Sequence, residues 1–82
     1  MNKSEIIEKM KYEEIGLYIK NQRKKLDKSL NEFALEIDVD SAILSRIENL
    51  KQDIKLTVLR KIAKGFGKKT SEFLSDFENF KD

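Results

Sequence analysis

Eighty-two residues with no cysteine, no histidine and no proline fit one compact domain. They exclude disulfide frameworks, thiol nucleophiles, histidine acid-base chemistry and zinc sites built on Cys or His, so neither an enzyme nor a metal or cofactor protein is expected. The formal net charge of +2 hides an uneven distribution: residues 20–69 hold 13 basic against 7 acidic side chains, a net of +6, while residues 1–19 and 70–82 carry −1 and −3.

Apolar residues recur at steps of three and four along nearly the whole chain, the period of an amphipathic helix, so an all-α domain is expected. Residues 1–12 read as an arm in which Ser4 can cap a short extra helix bearing Ile6, Ile7 and Met10. No apolar run here is long enough for a signal peptide, and none elsewhere for a membrane span, which predicts a soluble, cytoplasmic protein. A domain over residues 13–75 follows, beginning with a helix whose stripe is Ile15, Ile19, Gln22 and Leu26. The second helix opens at Ser29-Leu30-Asn31-Glu32, where serine and a glutamate three residues on can satisfy each other's free amides, and it buries Leu30, Phe33, Ala34 and Ile37.

Asp40 caps the third helix, with Leu44 and Ile47 on its apolar side. The fourth helix carries Leu56, Leu59, Ile62, Ala63 and Phe66. Its start is poorly marked, because Lys55 in the cap position supplies no acceptor. Gly65 and Gly67 mark the break before a fifth helix capped by Thr70 and striped by Phe73, Leu74 and Phe77. Residues 76–82 form an acidic tail that ends this helix. Three aromatics at helical spacing, Phe73, Phe77 and Phe80, are more than so small a core should need, and they predict a subunit interface.

Between Ile37 and Asp40 there is room only for a tight turn, so the second and third helices must cross steeply. A steep crossing needs a small residue at the contact, which Ala34 supplies, while Val39 plugs the turn. With Leu44 and Ile47 facing inward, Ser41, Ala42, Ser45 and Arg46 are left on the outer side. The pattern is a helix-turn-helix.

The segments IGLYIKNQRKK, SLNEFALEIDVD, ILSRIEN, LRKIAKGFG and SEFL, spanning Ile15 to Leu74 without a gap, resemble the domain of phage repressors, Cro proteins and their bacterial relatives of the xenobiotic-response-element type. The resemblance implies a five-helix, lambda-repressor-like fold and sequence-specific binding of double-stranded DNA through helices two and three. It also implies a homodimer paired through the carboxy-terminal part and acting as a transcriptional regulator on inverted repeats. It places Ser41, Ala42, Ser45 and Arg46 against base edges. The guanidinium of Arg46 suits guanine O6 and N7, and Ala42 suits a thymine methyl.

Phosphate contacts are expected from Ser29, Asn31 and the backbone of Leu30 at the start of helix two and from Asn49, Lys51 and Gln52 beyond helix three. Arg23 and Glu48 match a partly buried ion pair joining helices one and three. Stand-alone relatives of this size include phage and plasmid repressors, controller proteins of restriction-modification systems and antitoxins.

Three positions depart from the family pattern. Leu30 replaces a glutamine that grips phosphate, which is expected to weaken that contact or shift it to Asn31. Asp38 and Leu50 replace turn glycines. Aspartate tolerates the left-handed region, but leucine does not, so Asn49 is expected to take that conformation or the third helix to run on, with Leu50 covering core. These departures and the modest charge keep an alternative open, an antitoxin or interaction module whose main partner is another protein.

Overall fold

The computed structural model describes residues 14–81, so the Ser4 cap and the stripe of Ile6, Ile7 and Met10 lie outside the described residues. Five helices and no strand occur among those residues: α1 (Ile15–Lys25), α2 (Leu30–Glu36), α3 (Ser41–Glu48), α4 (Leu56–Gly65) and α5 (Thr70–Lys81).

The start signals work through short side chains. At Ser29 the hydroxyl accepts from the Glu32 amide at 3.1 Å while the Glu32 carboxylate accepts from the Ser29 amide at 3.2 Å. Asp40 Oδ1 accepts from the Ala42 amide at 2.7 Å, and Lys55 stands at the cap of α4 with no side-chain bond. Thr70, the expected cap of α5, lies instead inside the helix. The preceding Lys69 fills the position, its carbonyl accepting from Phe73 and its amide held by Glu72 Oε1 at 3.1 Å. Glu72 reaching back makes a hydroxyl cap unnecessary.

The first four helices all end alike. In each, one residue past the C-cap turns left-handed, and its amide and the next reach back to carbonyls of the last turn. The left-handed residues are Asp27, Asp38, Leu50 and Gly67, with φ of 60°, 57°, 59° and 71°. Only one of the four is glycine. Gly65, read from sequence as part of the break, is the last residue of α4. Its role is space, since a Cβ there would lie 2.4 Å from Ile37 Cγ2 and 3.0 Å from the Phe33 ring.

Leu50 overturns the expectation for its turn, because neither Asn49 nor an extension of α3 takes the strain. Asn49 keeps φ of −96°. The left-handed leucine is held by its own amide donating to Ile47 O at 3.1 Å and by Lys51 donating to Arg46 O at 2.8 Å. At Asp38 the side chain is almost wholly exposed and meets Lys61 only at 3.6 Å, so little opposes relief of the backbone strain. Asp38→Gly should therefore raise stability by up to about 1 kcal/mol, read as a higher urea midpoint with an unchanged slope.

The core gathers residues from every helix, with Ile19, Phe33, Leu44, Ile47, Ile62, Ala63, Phe73 and Phe77 all buried. Two apolar stripe members are not part of it. Leu26 and Leu56 are exposed, and the buried side of α1 is Ile15, Gly16, Tyr18, Ile19 and Arg23, one step round from the stripe read in the sequence. The reason is Tyr18. Its ring sits 5.5, 5.4 and 5.2 Å from those of Phe73, Phe77 and Phe80, and burial pushes its phenol pKa up.

Those contacts also correct the expected dimer interface. Phe73 and Phe77 are spent inside their own chain, Phe73 also stacking on Phe66 at 5.6 Å, and only Phe80 keeps an exposed side. With Phe77 in the core and α5 unbroken to Lys81, the domain continues past residue 75.

Candidate nucleic-acid interface

The α2–α3 turn is closed by backbone bonds from Asp38 to Leu35 O at 3.3 Å and from Val39 to Ala34 O at 3.0 Å. Ala34 is buried in the core and Val39 half-buried against it, so the turn cannot open without losing packing. On α3, Leu44, Ile47 and Glu48 point inward while Ser41, Ala42 and Arg46 are exposed and Ser45 is half-buried. One side of this short helix is fixed to the protein. The other is offered to solvent.

Two attachments fix its carboxy end. Arg23 meets Glu48 in a two-pronged ion pair, Nε to Oε2 and Nη2 to Oε1, both at 2.8 Å, with side chains only 8% and 3% exposed. The third nitrogen, Nη1, donates to Lys28 O at 2.8 Å, which ties the pair to the loop entering α2. Hydrogen bonding to Glu48 drives the guanidinium pKa up against the opposing effect of burial.

The other attachment is Gly16. A Cβ there would stand 2.0 Å from Ile47 O, so α1 presses its backbone directly onto the end of α3. The sequence reading missed this contact. A glycine inside a helix was the available signal.

The flanking residues are less uniform than the sequence implied. Ser29 and Asn31 are exposed, but the Ser29 hydroxyl is occupied as a cap. Leu30 packs half-buried against the core, and its backbone, the group expected to meet a phosphate, stands at the first position of α2. Beyond α3, Lys51 is exposed, whereas Asn49 Nδ2 donates to Ser45 O at 2.8 Å and to Ser45 Oγ at 3.3 Å. Gln52 turns back to α3, its Oε1 accepting from Arg46 Nε at 2.7 Å.

Among the described residues, no acidic cluster could hold a metal, and no helix is long and apolar enough to cross a membrane. Two helices joined by a tight turn and packed together beside a buried alanine, the second presenting an exposed polar side bearing an arginine, define the helix-turn-helix class of DNA-binding protein.

The chain belongs to that family: the model described as "Helix-turn-helix" matches residues 19–73, which include every position from Arg23 to Gln52 discussed above, and the type is that of the xenobiotic-response-element regulators. Control protein C.MunI of Mycoplasma sp is 42% identical over 59 residues, covering 72% of this chain and 80% of that protein. No solved structure matches the chain. The protein is therefore a DNA-binding transcriptional regulator.

Proposed function

We propose that the protein occupies an inverted-repeat operator as a homodimer, each copy laying α3 into the major groove. It would act as a controller of a restriction-modification system or as a phage or plasmid repressor does. The observation that carries this reading is the division of α3 into a side held by the core and Glu48 and a side exposing Ser41, Ala42 and Arg46. Similarity to a protein named as a control protein supports the regulatory part.

In this reading Arg46 reads guanine, Ala42 packs on a thymine methyl, and Ser41 and Ser45 accept either base. Ser29, Asn31, Asn49 and Lys51 set the register on phosphates. Pairing is needed because one short helix reads few base pairs, whereas two related by a two-fold axis read half-sites roughly 34 Å apart. The aromatic stripe being used internally, the second copy is expected to meet the segment following α3, where Leu50 and Leu56 are exposed and Ile54 and Leu59 half-covered.

The test is selection of bound sites from random DNA. An enriched motif with two-fold symmetry, bound less tightly as salt rises, is the expected result. An asymmetric motif would remove the dimer. A second reading, a module whose main partner is a protein, is favoured by Leu35, which projects from α2 with 84% of its surface exposed. Selection that enriches no motif even at low salt would favour it over the first.

A further inference from the structure

The left-handed turn at Leu50 reverses the chain just beyond α3 and brings residue 52 back alongside residue 46. There the Gln52 side chain meets Arg46 through one defined bond, Arg46 Nε donating to Gln52 Oε1 at 2.7 Å. The chemistry fixes its sense, since a guanidinium has only donors and the amide oxygen is the acceptor of the pair. A guanidinium can meet a guanine edge in two ways, through Nε with one Nη or through both Nη atoms. With Nε held by Gln52, the second way is left, and the Nη1–Nη2 edge projects beyond the bond.

We propose that Gln52 is a positioning residue for specificity. It holds Arg46 so that the two terminal nitrogens meet a base pair end-on, rather than serving chiefly as a phosphate contact. The inference rests on the reading of Arg46 as a base-contacting residue. Its physical content is preorganisation: an unrestrained arginine on a helix surface samples many rotamers, and the contact must order them at the moment of binding. A neutral acceptor at the base of the fork does part of that ordering in the free protein.

The test compares the parent chain with Gln52→Ala, Gln52→Glu and Arg46→Ala, measuring affinity for the selected operator and for versions changed at each base position. Gln52→Ala should lower discrimination about three- to tenfold at the one position in each half-site that Arg46→Ala makes indifferent, and leave the other positions alone. Its melting temperature should stay that of the parent, since the glutamine bonds only to an exposed side chain. Gln52→Glu keeps an acceptor for Nε and should retain the discrimination.

A phosphate contact gives the opposite pattern. Gln52→Ala would then weaken all sequences equally, Gln52→Glu would be worse through repulsion, and the proposal would be overturned. If Arg46→Ala relaxes one position and Gln52→Ala relaxes none, this inference fails while the reading of Arg46 stands. Should Arg46→Ala itself leave selectivity untouched, both fall.

Discussion

Replacing Glu48 with alanine is expected to lower stability by about 3 to 5 kcal/mol, because it leaves the Arg23 guanidinium buried without its counter-ion. Both partners are almost wholly covered, and two hydrogen bonds of 2.8 Å vanish together. In a domain of this size the whole stability is on the order of 5 kcal/mol, so much of the population would be unfolded at room temperature. Glu48→Gln should lose less, since an amide oxygen still accepts from one of the two nitrogens.

The pair need not be a net source of stability. Arg23→Met combined with Glu48→Leu should recover much of the loss, because an apolar pair carries no desolvation cost. Urea denaturation of the two single variants and the double would read the coupling directly. Additive losses would mean that the two side chains do not act as a unit. What the ion pair supplies is a fixed angle between α1 and the end of α3, and hence the pose of the exposed side of α3.

The second large effect is expected at Gly16. Alanine there is normally favoured over glycine inside a helix, by roughly 1 kcal/mol. Here the sign reverses, because the added methyl would lie 2.0 Å from a backbone oxygen at Ile47 and 2.9 Å from Leu50 Cδ2. Leu50 can rotate away, but the carbonyl moves only if the end of α3 moves. Overpacking of this kind costs about 1 to 3 kcal/mol, and an obstacle made of backbone places Gly16→Ala at the upper end of that range.

Gly65→Ala is the control. Its added methyl meets side chains, Ile37 and Phe33, which can yield, so it should lose less than Gly16→Ala in the same melting experiment. Equal losses would show that the α1–α3 contact has no special rigidity. Because Ile47 is followed by Glu48, a shift at this contact also reaches the ion pair.

Helical periodicity made the all-α class, the five helices and the inner side of α3 readable from residues alone. Leu44 and Ile47 are buried and Ser41, Ala42 and Arg46 exposed, as the spacing required. Periodicity finds a stripe but not what covers it. By spacing alone Phe73 and Phe77 are surplus to a small core, because nothing in it tells that Tyr18, three residues after the expected stripe leader Ile15, packs against both.

Leu26 and Leu56 mislead for the converse reason: a leucine in register near a helix end is exposed when no other element covers that end. The misreading of Leu50 came from intrinsic preference. A left-handed leucine is costly, but a helix end with two satisfied backbone bonds and packing on α1 outweighs that local cost. Gln52 was assigned to phosphate by its place after α3. Its bond to Arg46 depends on the turn that Leu50 makes, which no spacing rule encodes.

Everything functional here depends on side chains from 41 to 46 being the part of the molecule that distinguishes one DNA sequence from another. The direct measurement is the base preference of Arg46→Ala beside that of the parent chain, both selected from the same random pool. The expected outcome is the same two-fold motif with a single position in each half-site gone indifferent, a loss of discrimination of about 1 to 3 kcal/mol there. A motif identical in every position would contradict the account.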